Sequence, residues 1–277
     1  PARKATYAGT GVENGSGKCR GIEYAEGLND LAMAERTCII IPCFNEADRF
    51  KREQYLSFLQ QVPDIDLCFV NDGSRDDTLR VLQDIQAMQP SRIKVVDYRE
   101  NQGKAEAVRR GFLHMLEQGG YGALAFADAD LATPLAEIWR LIMILEKEPE
   151  MLIVMGSRIE RMGVTIERKL YRHFTGRIFA AVISVLFRLN AYDTQCGAKI
   201  FRADIARSVF EEPFLSKWLF DVEILLRVRN MRDDYNRIIS EIPLDVWLEQ
   251  GNSKIRFAHL LKMPCQLWRI YFRYKPP

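Results

Sequence analysis

Histidine is scarce in this chain. His114, His173 and His259 are the only three in 277 residues, and none stands near another. That scatter argues against a histidine-built metal centre or a histidine base. The six cysteines (19, 38, 43, 68, 196 and 265) form no CxxC pair and no metal-ligand spacing. Cys38, Cys43 and Cys68 fall in apolar, strand-like runs, so reduced and buried thiols are expected. The longest apolar run, Ile178 to Phe187, is broken at Ser184. It reaches about half of the roughly 20 residues a spanning helix needs, so no transmembrane segment is expected. The first residues carry no apolar stretch of the signal-peptide kind. No GxxxxGK[ST] loop is present, which excludes a P-loop nucleotide hydrolase, and the absence of GxGxxG after the first strand weakens a dinucleotide site. Internal repeats and nucleic-acid-binding motifs are also missing.

What remains is ordinary globular chemistry, 48% hydrophobic and 27% charged, long enough for one large domain. The net charge of +2 hides an asymmetry. Residues 1–160 carry 19 Lys/Arg against 25 Asp/Glu, a net of −6; residues 161–277 carry 20 against 12, a net of +8. From Ile255 to Pro277 there are five cations and no acid. A basic half points to an anionic partner: a phosphate, a nucleic acid or a membrane surface.

Residues 1–34, rich in glycine and without apolar patterning, read as a flexible leader. From Thr37 strand and helix alternate. Strands are predicted at Thr37–Cys43, Asp66–Asn71, Ile93–Tyr98, Ala123–Ala127 and Leu152–Met155. Helices are predicted at Lys51–Gln61, Asp76–Met88, Lys104–Gln118 and Pro134–Lys147. Four βα units in succession imply an α/β fold, a mostly parallel sheet with helices on both faces. Beyond Arg158 a long helix is predicted at Arg168–Leu189, then a short strand at Lys199–Phe201, a helix at Phe220–Asn230, a strand at Ile238–Ile242 and a helix at Phe257–Tyr274. The whole of 35–277 reads as one domain with a nucleotide-binding half (35–158) and an acceptor half (159–277).

In such sheets ligands bind beyond the carboxyl ends of the strands, and the polar clusters fall there. The first strand ends in Pro42-Cys43-Phe44-Asn45-Glu46, the second in Asn71-Asp72-Gly73-Ser74, the fourth in Asp128-Ala129-Asp130. Two acids one residue apart at the end of a buried strand repel each other unless a cation compensates them. Hard carboxylate oxygens suit Mg²⁺ or Mn²⁺, with a diphosphate supplying further ligands.

PCFNE, VNDGS, NQGKAEAVRRGF and DADLATP together resemble family-two glycosyltransferases of the GT-A fold, a Rossmann-like variety of this sheet. Downstream, Gly156-Ser157-Arg158, DTQCG (193–197), WLFDVE (218–223), Glu241-Ile242-Pro243 and GNSK (251–254) are similar to polyprenyl-phosphate glycosyltransferases, nearest to the dolichyl-phosphate β-glucosyltransferases. The resemblance runs from about Thr37 to Tyr274. It implies a metal-dependent, inverting transfer of a hexose, glucose from UDP-glucose, to a polyprenyl phosphate. Pro42, Asn45, Glu46, Asp72, Lys104 and Asp128 would bind the nucleotide-sugar, and Asp128 and Asp130 the metal. Arg158, Arg168 and Arg172 would gather the acceptor phosphate. Asp130, Arg158, Asp193 and Asp221 are the candidate catalytic residues. If the acceptor is instead a hydroxyl group it needs a general base, for which Asp193, Asp221 and Glu223 are the available carboxylates. GDP-mannose as donor and a soluble hydroxyl acceptor stay open as alternatives. Related mannosyl-phosphate synthases read DxDxQ, and Ala132 stands in place of that glutamine. The amphipathic C-terminal helices, apolar and aromatic beside cations, suit peripheral contact with the cytoplasmic face of a membrane. No nucleic-acid partner is expected, and a homo-oligomer is left open.

Overall fold

A computed structural model describes residues 35–159, 165–167, 182–248 and 257–275. The expected leader, residues 1–34, lies outside the described residues. The first half follows the predicted alternation: β1 (Thr37–Cys43), α1 (Arg52–Gln61), β2 (Ile65–Asp72), α2 (Thr78–Met88), β3 (Ile93–Tyr98), α3 (Lys104–Gln118), β4 (Ala123–Ala127), α4 (Leu135–Lys147) and β5 (Ile153–Ser157). Continuous apolar runs make these strands, because both faces of the sheet are covered. Ile39 and Ile41 of β1 pack with α1, α2 and α4 on one face. Cys38 and Ile40, pointing the other way, pack with α3 and the later helices.

The second half contributes β6 (Thr165–Glu167), β7 (Ala198–Arg202), α5 (Ala203–Phe210), α6 (Phe220–Met231), α7 (Tyr235–Ile238), β8 (Ile239–Pro243), β9 (Val246–Leu248) and α8 (Phe257–Arg273). The described strands form a seven-stranded sheet of order β3-β2-β1-β4-β7-β5-β8 and a separate parallel pair, β6-β9. β7 runs antiparallel between β4 and β5. The succession of βα units suggests β5 beside β4; β7 is inserted there instead. Helix α5 and the β6-β9 pair were also not evident from the pattern. The helix predicted at Arg168–Leu189 lies largely outside the described residues. Its visible part, 182–187, stops at Arg188, which takes a left-handed φ of 52°. Cys38, Cys43, Cys68 and Cys196 are buried free thiols, as expected, while Cys265 is exposed.

Register brings the chemistry to one edge. Cys43 pairs with Asn71 and Asp72 with Tyr98, so β1, β2 and β3 end together. Antiparallel pairing of Ala127 with Ala198 sets the segment preceding β7 against the end of β4. Ser157 pairs with Pro243, so β5 and β8 finish at this edge too.

Candidate active site at the carboxyl edge of the sheet

The donor side is built from three linked loops. Asn45, in a left-handed conformation that asparagine tolerates (φ 51°), donates its backbone N–H to Ser74 Oγ at 3.0 Å. Its side-chain Oδ1 accepts the Arg75 N–H at 2.8 Å. Glu46 is buried, donates its N–H to Thr78 Oγ1 at 2.7 Å, and pairs with Arg49, whose Nη2 lies 2.5 Å from Oε1. The first loop is thereby fastened to the NDGS loop. Gly73 has φ +64°, and a Cβ there would stand 2.5 Å from the Asn101 nitrogen, so only glycine fits the turn. Asp72 is 3% exposed; it accepts the N–H groups of Gln102 (2.9 Å) and Gly103 (2.8 Å) and the Asn101 side-chain amide (2.9 Å). Its carboxylate thus holds the turn that launches α3. Pro42 lies half-buried near the end of β1.

Lys104, the first residue of α3, reaches Asp128 with Nζ 2.5 Å from Oδ1. Burial works against its charge, but attraction to Asp128 and Asp221 holds its pKa above the usual lysine value. The loop carrying Asp128 and Asp130 is held from several sides. The buried Tyr55 hydroxyl donates to the Ala129 carbonyl at 3.1 Å. Leu131 is left-handed (φ 55°) and donates its N–H to the Asp128 carbonyl, and the Ala132 N–H donates to Asp130 Oδ1 at 3.0 Å. A leucine in that region is uncommon and marks a turn fixed by its surroundings. Burial and the neighbouring Asp128 push the Asp130 pKa above the ordinary carboxylate range; the Ala132 N–H, Arg49 and Lys104 only partly offset this. An under-compensated pair of hard oxygen donors fits a divalent cation, which Asp128 and Asp130 could hold. No cluster of three or more His, Cys, Asp or Glu suited to a metal occurs among the described residues.

Backbone closes on this pair from β7. A Cβ on Gly197 would stand 2.1 Å from Asp128 Oδ2, so the DTQCG segment lies directly against the carboxylate. That segment is tethered by Lys199, 0% exposed in the middle of β7. Lys199 donates to the carbonyls of Thr194 (3.0 Å) and Cys196 (2.7 Å) and to Asp221 Oδ1 (2.5 Å). Asp221 therefore stands behind the wall as the partner of a buried lysine. Arg158 grips Asp193 with two nitrogens, Nε–Oδ2 2.6 Å and Nη2–Oδ1 2.8 Å. Burial opposes the charge on Asp193, but Arg158 prevails and holds the pKa at about 2. Glu241 accepts the N–H groups of Tyr192 and Asp193, both at 2.7 Å, and the Arg158 guanidinium lies 5.5 Å from the centre of the Trp247 ring. Glu223, 0% exposed, accepts from the Leu215 N–H, Arg227 and the Tyr274 hydroxyl. Arg168 and Arg172 lie outside the described residues.

Residues 38–210 match the profile of Glycosyl transferase family 2. The chain belongs to that family. Two relatives agree with the assignment of this glycosyltransferase. A dolichyl-phosphate β-glucosyltransferase from Dictyostelium discoideum is 31% identical over 250 residues, covering 85% of this chain and 74% of the relative. One from Trichomonas vaginalis is 30% identical over 254 residues, covering 86% and 72%. Among solved structures, glucosyl-3-phosphoglycerate synthase from Mycobacterium tuberculosis, in complex with Mn²⁺, UDP-glucose and phosphoglyceric acid, superposes with a TM-score of 0.60. It is 19% identical, with 88% of this chain and 81% of that one covered, a likeness of fold.

Within the glycosyltransferase, Asn45, Glu46, Asp72, Lys104, Asp128 and Asp130 come together at one edge, with Arg158 and Asp193 farther along it. Arg49, Tyr55, Gly197 and Lys199 were not assigned roles from sequence. A lysine inside an otherwise apolar strand, AKIFR, was the available signal for Lys199. Tyr55 carries none, since its partner Ala129 lies on another element, whereas Arg49 pairs with Glu46 in the same loop.

Proposed function

We propose that this glycosyltransferase moves glucose from UDP-glucose to a polyprenyl phosphate, with inversion, at a membrane surface. The names of the relatives support the sugar and the acceptor class. The observation that carries the reading is the condition of the acceptor-side carboxylates. Asp193 is committed to Arg158, Asp221 to Lys199, and Glu223 to Arg227 and Tyr274. A hydroxyl acceptor requires a base because its own pKa lies far above 7. Asp193 is held near 2, and oxygens of Asp221 and Glu223 are engaged by their own partners. A phosphate arrives ionised and needs only cations and position. Arg158 would meet it with Nη1, the nitrogen that Asp193 does not hold, and Arg168 and Arg172 would add charge.

In the transfer, an acceptor phosphate oxygen bonds to the anomeric carbon as the bond from that carbon to the UDP oxygen breaks, and UDP leaves. Pro42, Asn45, Glu46 and Asp72 would line the nucleotide pocket. Lys104 and the start of α3 would face the diphosphate, because helix N-termini favour anions. Mg²⁺ or Mn²⁺, when held by Asp128 and Asp130, supplies charge neutralisation at the leaving diphosphate.

No helix among the described residues is long and apolar enough to cross a membrane. Peripheral contact through α8 fits its surface: Trp268 (67% exposed) and Phe272 (50%) lie with ring centres 4.4 Å apart, beside Arg269, Arg273 and Lys275. The test is purified protein with Mn²⁺, labelled UDP-glucose and polyprenyl phosphate in anionic vesicles. Labelled, solvent-extractable lipid is expected. Absence of lipid product with UDP-glucose, UDP-galactose, UDP-N-acetylglucosamine and GDP-mannose alike overturns the proposal, and product on a hydroxyl acceptor alone overturns the argument from the carboxylates.

A further inference from the structure

A cation of the protein itself already sits where a metal would bind. Lys104 Nζ lies 2.5 Å from Asp128 Oδ1, and 5.8 Å from the ring centres of both Phe126 and Phe220. Two aromatic faces and one carboxylate therefore define the ammonium position. About a third of the Lys104 side chain is exposed, while its ammonium end is buried against Asp128. The same residue opens α3, and the dipole at a helix start attracts phosphate. Gly103, immediately before it, is left-handed (φ +96°), and the aliphatic stem of Lys217 lies over it. Lys104 thus has two competing partners. One is Asp128, in the metal-free protein. The other is an anion at the start of α3.

We infer that Lys104 is an internal counter-ion that holds Asp128 until a nucleoside diphosphate draws it away, making metal and nucleotide bind cooperatively. The inference rests on the donor-site reading proposed above. An ammonium and a divalent cation on one carboxylate repel each other, so the metal alone must first displace Lys104. A diphosphate at the start of α3 gives Lys104 a new partner and clears Asp128 for the metal. Because coupling between two ligands is reciprocal, the metal must favour the nucleotide by the same factor. A lysine that only bound phosphate would leave metal affinity in the absence of nucleotide untouched, and a lysine that only stabilised the fold would leave the coupling between the two ligands untouched.

The experiment is Mn²⁺ titration followed by electron paramagnetic resonance of the free ion, with and without UDP, on wild type, Lys104→Met and Lys94→Met. Lys94 lies early in β3, toward the opposite edge, and matches the change of charge. Lys104→Met should bind Mn²⁺ without UDP about tenfold more tightly than wild type, within the range typical of coupled sites. The improvement in Mn²⁺ affinity on adding UDP should shrink by a similar factor, and UDP alone should bind more weakly. Lys94→Met should behave as wild type. Lys104→Gln, with a polar side chain of similar length, should reproduce the result if methionine disturbs the fold. Unchanged or weaker Mn²⁺ binding by Lys104→Met without UDP overturns the inference, as does equal tightening in Lys94→Met. If wild type shows UDP-dependent Mn²⁺ binding in either case, the donor-site reading survives. If neither Mn²⁺ nor UDP binds wild type, that reading falls and the inference with it.

Discussion

Replacing Gly197 with alanine tests whether the backbone of the DTQCG segment sets the position of Asp128. The added Cβ would stand 2.1 Å from Asp128 Oδ2, 2.7 Å from Cγ and 3.1 Å from Oδ1. Real Cβ contacts essentially never fall under 3.0 Å, so one side must withdraw by about 1 Å. The backbone at Gly197 is pinned, since the next residue, Ala198, is paired with Ala127 and Lys199 holds the carbonyls of Thr194 and Cys196. Asp128, with a side chain 37% exposed, is the part that yields. Displacing a reacting constellation by about 1 Å costs on the order of 10²-fold, near 2.7 kcal/mol in the barrier. Folding should be spared. Gly197 is not among the glycines with positive φ, so alanine is conformationally acceptable there, and Gly→Ala at such sites gains roughly 0.4–1 kcal/mol through the unfolded chain. The assay pairs kcat/KM for sugar transfer with the thermal midpoint. A fall of about 10² with a midpoint near wild type is expected. Full activity in Gly197→Ala would refute the reasoning, and so would a loss of activity fully matched by a collapsed midpoint.

Three further perturbations act on the same edge. Lys199→Met strands Asp221 as an uncompensated buried charge and should cost about 3–5 kcal/mol in urea unfolding, part of it restored by adding Asp221→Asn. Asp193 has a pKa of about 2 against an ordinary 3.8, so its pairing stabilises the fold above about pH 4 and is lost as pH falls toward 2. This acid limb, worth roughly 2 kcal/mol, should disappear from the stability–pH profile of Asp193→Asn. Asp130 has a raised pKa, so its charge opposes folding as pH rises above the ordinary carboxylate range. Asp130→Asn should therefore raise the thermal midpoint of the metal-free protein while abolishing UDP-dependent Mn²⁺ binding; a lowered midpoint would contradict that sign.

Much of the donor side was legible because strand ends announce themselves. Apolar runs that stop at Asn45, Asp72 and Asp128 place polar groups beyond a parallel sheet, and four predicted strands and helices match the structure end for end. β7 was not placed by the same logic. Its partner β4 lies more than 70 residues earlier, and nothing local to AKIFR distinguishes antiparallel insertion from addition at an edge. Asp221 fared similarly. As a residue type it was a fair candidate for the reacting centre, and only burial against Lys199 shows that it supports the wall. Leu131 carried no sign of a left-handed φ, because the turn is imposed by hydrogen bonds from the Leu131 N–H to the Asp128 carbonyl and from the Ala132 N–H to the Asp130 carboxylate.

The electrostatics of this edge divide it into two functions. Asp130, just beyond β4, and Asp193, in the segment before β7, are both carboxylates at this edge, yet their surroundings drive their pKa values in opposite directions. Arg158 satisfies Asp193 with two hydrogen bonds, which leaves that site neutral overall and well ordered. Asp130 faces Asp128, with Lys104 and Arg49 as partial compensation, and its charge remains disfavoured. A strained pair of acids attracts a cation, whereas an acid already locked to arginine cannot serve as a base. Separated carboxylate environments of this kind support the proposed division of roles: metal and diphosphate at β4, and positioning of an anionic acceptor at β5. The +8 charge of residues 161–277 against −6 for residues 1–160 repeats the same division along the chain. An uncharged hydroxyl acceptor would gain little from that arrangement, since it brings no charge for the basic half to hold.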